Sequence, residues 1–301
     1  MNIPLNSFHL SAFLAVAREG SFTAAARILN LSQPAISHSI KLLESDLECR
    51  LFEREGKSVR LTQAGEQLEV TAKRIFNDMD TARSEIKNLG LWGVGRLRLT
   101  SPITICQHLL PSVFREFKES FPRCKIDIRT SDTHQAIDDV INQDVNLAIT
   151  LRPQDDLGLI FKALFSDELI FVVDPLHPWA KLKQAPLSDV KMQNLIIYTK
   201  NSSTFKMIEH YFSGLGVSLR LAIDMGSMEA IKEMVKIGLG IGIMPAWVAR
   251  DEIDEGSLVG ISFGSKKLRR QWGIIHRRTH SLSLAEETFV GLCRTAAEEF
   301  H

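Results

Sequence analysis

From Leu68 to Leu89 apolar residues recur as Leu68, Ala72, Ile75, Met79, Ala82, Ile86 and Leu89, at spacings that alternate four and three. This is a heptad stripe on one helix, with Thr62 as its cap and a length of about 40 Å at 1.5 Å per residue. Two arrangements satisfy such a stripe: a helix lying on its own domain, or a helix pairing with a second copy of the chain. The stripe is narrow and its flanks are charged (Lys73, Arg74, Asp78, Asp80, Arg83, Glu85, Lys87), which favours pairing. "LGLWGVG", residues 89–95, carries three glycines, ends the helix and supplies a hinge.

Ahead of this helix stands a compact set of short ones. Residues 8–18 place Leu10, Phe13, Leu14 and Ala17 on one face, Gly20 can close that helix in a left-handed cap, and Ser21 can cap "FTAAARIL". Asn30 and Leu31 then turn the chain into "LSQPAISHSIKLLE", where Ile36, Ile40 and Leu43 form the buried stripe. Ser32 caps this helix, and Pro34 occupies a first-turn position that needs no N–H. Its opposite face shows Gln33, Ser37, His38 and Lys41, short donors and acceptors suited to a polar, grooved partner. Two short helices joined by a tight turn, the second with such a face, make a helix-turn-helix. "RLFEREGKSVRLT" reads as a small hairpin with cations on its arms and tip, a wing.

After Arg96 short apolar strands alternate with amphipathic helices: "RLRLTS", "IDIRTS", "NLAITL", "ELIFVVD", "LIIYT", "LRLAID", "GIGIMP" and "QWGIIH", closed by an amphipathic helix over 281–300. Such alternation predicts an α/β fold on a mainly parallel sheet, so the chain as a whole is α+β and multidomain. A length of 301 residues with 45% hydrophobic residues allows more than one core.

Bulk charge points to no partner, since Lys plus Arg and Asp plus Glu are 36 each. Over residues 1–63 Arg18, Arg27, Lys41, Arg50, Arg54, Lys57 and Arg60 face Glu19, Glu44, Asp46, Glu48, Glu53 and Glu55, so a nucleic-acid reading rests on placement. The cysteines 49, 106, 124 and 293 are scattered without CxxC, as expected of a reducing compartment and unlike a disulfide scaffold or zinc ribbon. "FHLSAFLAVA" has no basic segment before it and an amphipathic period, and no run approaches membrane-spanning length; the expectation is a soluble cytoplasmic protein that makes no membrane contact. Enzymatic readings find little support. There is no GxSxG, "GLGIG" at 238–242 lies between helix and strand in the wrong order for cradling phosphate, and His276 and His280 do not share a helical face for a metal. No catalytic residue, metal or cofactor is expected. Cys106 near a helix N-terminus has two readings, a buried structural thiol or a low-pKa redox sensor.

These stretches resemble LysR-type transcriptional regulators over essentially the whole chain. The segment "FLAVAREGSFTAAARILNLSQPAISHSIKLLESDLECRLFEREGKSVRLTQAGE" is close to the family's winged helix-turn-helix signature; "LRLTSPITICQHLLP", "DPLHPWA" and "GSMEAIKEMVKIGLGIGIMP" follow in order. The resemblance implies a DNA-binding domain over 1–63, a dimerising linker helix and hinge over 64–92, and an effector domain over 93–301. It further implies that the effector domain is two-lobed and like a periplasmic binding protein, with lobe one at 93–166 and 268–301 and lobe two at 167–267. His38 stands where the family often has Arg, and Ser39 where it often has a long polar side chain. Implied partners are operator duplex DNA, a small-molecule effector and further copies of the chain, as a dimer or a tetramer of two dimers. RNA polymerase joins them if the protein activates. A solute-binding component of a transporter fits only the second half.

On this reading Ser32, Gln33, Pro34, Ser37, His38 and Lys41 meet the major groove, and Arg50, Arg54, Lys57 and Arg60 meet phosphates or the minor groove. For the effector, the carboxyl ends of strands carry Thr100, Ser101, Thr104, Thr130, Ser131, Thr150, Arg152, Ser202, Ser203, Thr204, Gly226 and Ser227. Hydroxyls there serve as helix caps or as donors to a ligand, and the resemblance favours a ligand. The expected effector is a small organic anion, a carboxylate, with Arg152 or Lys200 as countercharge.

Overall fold

The computed structural model describes residues 5–55, 58–88, 94–182 and 184–300. The chain divides into two compact units, Met1–Leu89 and Gly90–His301.

In the first unit α1 (Ser7–Glu19) begins at Asn6, whose side chain accepts the Phe8 N–H, and ends at Gly20 with φ 61°. Ser21 caps α2 (Phe22–Ile28), and Ser32 caps α3 (Gln33–Asp46) by accepting the Ala35 N–H at 3.4 Å. Asn30, at φ 54°, makes the left-handed step between them, a conformation Asn tolerates better than most residues. One core gathers Leu10, Phe13, Val16, Ala25, Ile36, Ile40, Leu43 and Leu51. The hairpin β1 (Phe52–Glu55) and β2 (Ser58–Leu61) pairs antiparallel from Phe52↔Leu61 to Glu55↔Ser58. Thr62 then accepts the Gly65 N–H at 3.0 Å, capping α4 (Gln63–Asn88). Gly65 is required here, because a Cβ would lie 2.2 Å from the Leu51 carbonyl oxygen.

The stripe on α4 splits. Leu68, Ala72 and Ile75 pack into the core of their own unit, with Ala72 0% exposed. Met79 and Ile86 are 48% and 68% exposed, and Ala82 is exposed too. Leu89 lies outside the described residues. The expectation of one seam over seven positions is corrected for Ala72, which has no surface left for a second copy. Leu68 and Ile75 are partly committed in the same way.

The second unit opens with β3 (Val94–Ser101), α5 (Ile103–His108), α6 (Leu110–Ser120), β4 (Arg123–Thr130), α7 (Thr133–Ile141) and β5 (Leu147–Leu151). The long β6 (Leu159–Val173) leads to α8 (Leu187–Val190), β7 (Leu195–Ile197), α9 (Ser203–Ser213), β8 (Leu221–Asp224), α10 (Met228–Lys236) and β9 (Ile241–Pro245). After α11 (Arg250–Asp254) and β10 (Val259–Ile261), β11 (Arg269–Arg277) returns and α12 (Leu284–Ala296) follows. The strand order is β4-β3-β5-β11-β6-β9-β7-β8, with β10 also on β6.

The sheet is mixed, not mainly parallel. β3 runs parallel to β4 and β5, and β7 parallel to β8 and β9, but β11 is antiparallel to β5 and β6, and β6 to β9 and β10. The reason is that β6 and β11 carry the chain between two half-sheets. Leu159–Glu168 pair with β11, and Leu169–Val172 pair with β9. Register shifts between Trp272 and Gly273, where a Cβ would come within 2.4 Å of the Phe161 ring. Two stretches not expected as strands are β10 and the first half of β6. The latter is half-buried, with Lys162 inside it and no continuous apolar run.

Candidate functional site

On α3 the core takes Ile36, Ser39, Ile40 and Leu43, leaving Ser32, Gln33, Pro34, His38 and Lys41 exposed and Ser37 half-buried. Gln33, Ser37 and Lys41 follow one another at i, i+4 and i+8, and the Gln33 amide donates to the Ser37 hydroxyl at 2.8 Å. Ser39 is buried with the core and does not reach the polar face. Arg50 is exposed, 3.8 Å from Glu44, whose other oxygen accepts the Leu51 N–H at 2.8 Å and ties the end of α3 to the hairpin. Arg60 is exposed on β2, opposite Glu53. Arg54 lies on β1 opposite Val59, its side chain undescribed, and Lys57 lies outside the described residues.

In the second unit a cavity of about 450 Å³ opens between the two half-sheets. Thr104, Thr130, Ser131, Ser202, Ser203, Thr204 and Gly226 line it, around an apolar floor that includes Ile243, Pro245 and Trp247. Five other expected residues do not line it. Thr100 is buried, 2.6 Å from the Ser131 hydroxyl, and Ser101 is buried beside it. Thr150 is buried with no partner for its hydroxyl among the described residues. The Ser227 hydroxyl accepts the Ala230 N–H and caps α10. Thr100, Ser101 and Thr150 are missing for one physical reason: they stand inside β3 and β5, where the pleat turns their side chains onto covered sheet faces. Arg152 donates to Gln271 at 2.8 Å, lies over the Phe161 ring and lines a neighbouring cavity instead. Lys200 is exposed and lines neither.

Sequence reasoning missed the charged centre of the cavity wall. Arg270 donates from Nε to Asp167 Oδ1 at 2.9 Å and from Nη2 to Oδ2 at 2.5 Å. The indole N–H groups of Trp247 and Trp272 also donate to Asp167 Oδ2, at 3.0 and 2.9 Å. Arg270 Nη1 reaches Thr204 at the start of α9, at 2.8 Å. The pair joins the two crossing strands where one half-sheet gives way to the other. An isolated charge at this depth is strongly disfavoured, and four donors on one carboxylate compensate for its lost hydration. In the sequence only the alternation around "RRQWG" hints at Arg270, and nothing links it to Asp167.

Burial pushes the Cys106 thiol up, outweighing the hydrogen bonds that oppose it, among them a weak one toward the Ser101 carbonyl. His280 pairs with Glu286 at 3.0 Å. Among the described residues no cluster of His, Cys, Asp and Glu could hold a metal, and no helix is long and apolar enough to cross a membrane.

Residues 8–66 match the family model "Bacterial regulatory helix-turn-helix protein, lysR family", and residues 93–298 match "LysR substrate binding domain". The HTH-type transcriptional activator CmpR of Synechocystis is 29% identical over 289 residues, covering 96% of this chain and 94% of that protein. Among solved structures, full-length CbnR complexed with its target DNA matches with a TM-score of 0.71 at 21% identity, over 97% of this chain and 100% of that one. The effector binding domain of QuiR in complex with shikimate matches with a TM-score of 0.59 at 21% identity, over 68% of this chain and 98% of that one. With both units matched in order, the chain belongs to the family of LysR-type transcriptional regulators.

Proposed function

We propose that this regulator reads its operator with the exposed face of α3 laid in the major groove, two copies being held at a fixed separation by the exposed half of α4. The observation that carries this is the division of α3: Ile36, Ile40 and Leu43 are buried, while Gln33, His38 and Lys41 are free to meet base edges and phosphates. Ser32, Pro34 and Ser37 complete that face, and Arg50, Arg54, Lys57 and Arg60 contact the backbone or minor groove. The domain limits follow as 1–63 for DNA binding, 64–92 for the linker and 93–301 for the effector, the last in lobes 93–166 with 268–301 and 167–267. Two dimers form the working tetramer, RNA polymerase is a partner if the protein activates, and the site of action is the cytoplasm.

The effector is a small organic carboxylate bound in the interlobe cavity, met by hydroxyls such as Thr104, Ser131 and Ser203 and by helix N-termini. Its action requires unequal affinity for two arrangements of the assembled protein. The raised thiol pKa of Cys106 speaks against redox sensing as the alternative signal. A gel-shift series tests the groove assignment: Gln33→Ala should weaken the cognate site by about 1–3 kcal/mol and relax its specificity. A variant with the wild-type ratio of specific to random binding would refute it.

A further inference from the structure

Among the described residues lining the interlobe cavity, Arg270 is the only lysine or arginine. Its side chain is 4% exposed and that of Asp167 is 1% exposed. A guanidinium carries five N–H donors. Three are engaged, two by Asp167 and one by Thr204. The other two, one on each terminal nitrogen, have no acceptor among the described residues. Buried donors are rarely left so, and here the open side is the cavity. The group is also rigidly held: Asp167 grips one edge, Asp167 is itself fixed by Trp247 and Trp272, and the guanidinium lies 5.2 Å over the Trp272 ring.

Taking the cavity as the effector site, we infer that Arg270 is the anchor for the effector's carboxylate and that the site selects singly charged acids. A carboxylate accepts the two spare N–H groups in the geometry a guanidinium fork favours, beside the Thr204 hydroxyl and the N-terminus of α9. Asp167 stands one hydrogen bond behind the guanidinium, so the pair carries no net charge. The first ligand charge meets preorganised donors; among the described lining residues a second finds no further cation, and it feels the carboxylates of Asp167 and of Asp132. Dianions such as phosphate monoesters are therefore disfavoured by about 10-fold or more.

The test is titration calorimetry on the full chain with C3–C8 monocarboxylic acids and phosphate monoesters of matching carbon skeleton. Monocarboxylates should bind the wild type more tightly than their phosphate counterparts. Arg270→Lys, which keeps the charge but loses the fork, should weaken them by about 10- to 100-fold. The double variant Asp167→Asn with Arg270→Gln removes both charges together, so no buried ion is stranded; it should keep its cooperative melt and lose carboxylate binding. Wild-type affinity in either variant would overturn Arg270 as the anchor while leaving the cavity as the effector site. Tighter binding of phosphate monoesters would overturn the charge selection. Failure of every organic anion to bind the wild type would instead overturn the reading of the cavity itself.

Discussion

Replacing Glu286 tests how the second unit is held together. Its carboxylate is 1% exposed at the start of α12 and accepts from Asn146 at 2.6 Å, from His280 at 3.0 Å and from the Ser283 N–H at 2.9 Å. Asn146 in turn accepts from Arg98 on β3 at 2.8 Å, so one carboxylate joins helix, loop and sheet. Glu286→Ala removes half of a capping box, about 1 kcal/mol, and strands two buried donors at about 1–3 kcal/mol each. Because these effects overlap, the expected loss is about 3–5 kcal/mol, or about 6–20 °C in Tm for a unit of this size. Trp179, Trp247 and Trp272 are buried in this unit and the first unit's residues 1–88 contain no tryptophan, so tryptophan fluorescence in a urea titration of a Trp92→Phe background reports it. The pH dependence adds a second arm. Burial alone would raise the Glu286 carboxyl, but hydrogen bonds from His280, Ser283 and Asn146 outweigh it and hold the group below its usual 4.5. The folded state thus binds fewer protons than the unfolded one, so the contribution is complete above about pH 4.5 and fades as pH falls through the depressed value. Glu286→Gln should flatten that acid limb. A loss below about 1 kcal/mol for Glu286→Ala, or an unchanged acid limb for Glu286→Gln, would refute the reasoning.

Two further predictions concern single positions. Gly65→Ala forces a Cβ to 2.2 Å from the Leu51 carbonyl oxygen, and should destabilise the first unit by about 2 kcal/mol or more, read as a lower helical melt by circular dichroism. With Ellman's reagent at neutral pH, exposed Cys49 should react in the fast phase, whereas Cys106, Cys124 and Cys293, whose thiols burial pushes up, should be slow; Cys106→Ser should leave the fast phase intact.

What could be read from the sequence was what is decided locally. Gly20, Ser21, Ser32 and Thr62 act on backbone groups within a few residues, so their caps and the helices between them were legible. The polar face of α3 was legible because a helix sorts residues by period alone. Long-range choices were hidden. Arg152 looked like the cation of the cavity, yet it turns to Gln271 and Phe161, while Arg270 reaches the cavity because Asp167, distant in sequence, holds it there. Similarly, the stripe on α4 shows its period in sequence but not where its own domain stops using it, and that boundary falls between Ile75 and Met79. At Cys106 the sequence left two readings open, because burial depends on packing by distant segments; that burial pushes the thiol up, in line with the structural reading.

Sedimentation equilibrium of the full chain, with and without a two-fold symmetric operator duplex, tests pairing through the exposed half of α4 most directly. The wild type should run as a dimer or larger. Met79→Asp combined with Ile86→Asp, at positions 48% and 68% exposed and outside the core of the first unit, should give a monomer with an unchanged melt and a loss of operator affinity. A monomeric wild type, or a double variant that stays dimeric, would contradict it.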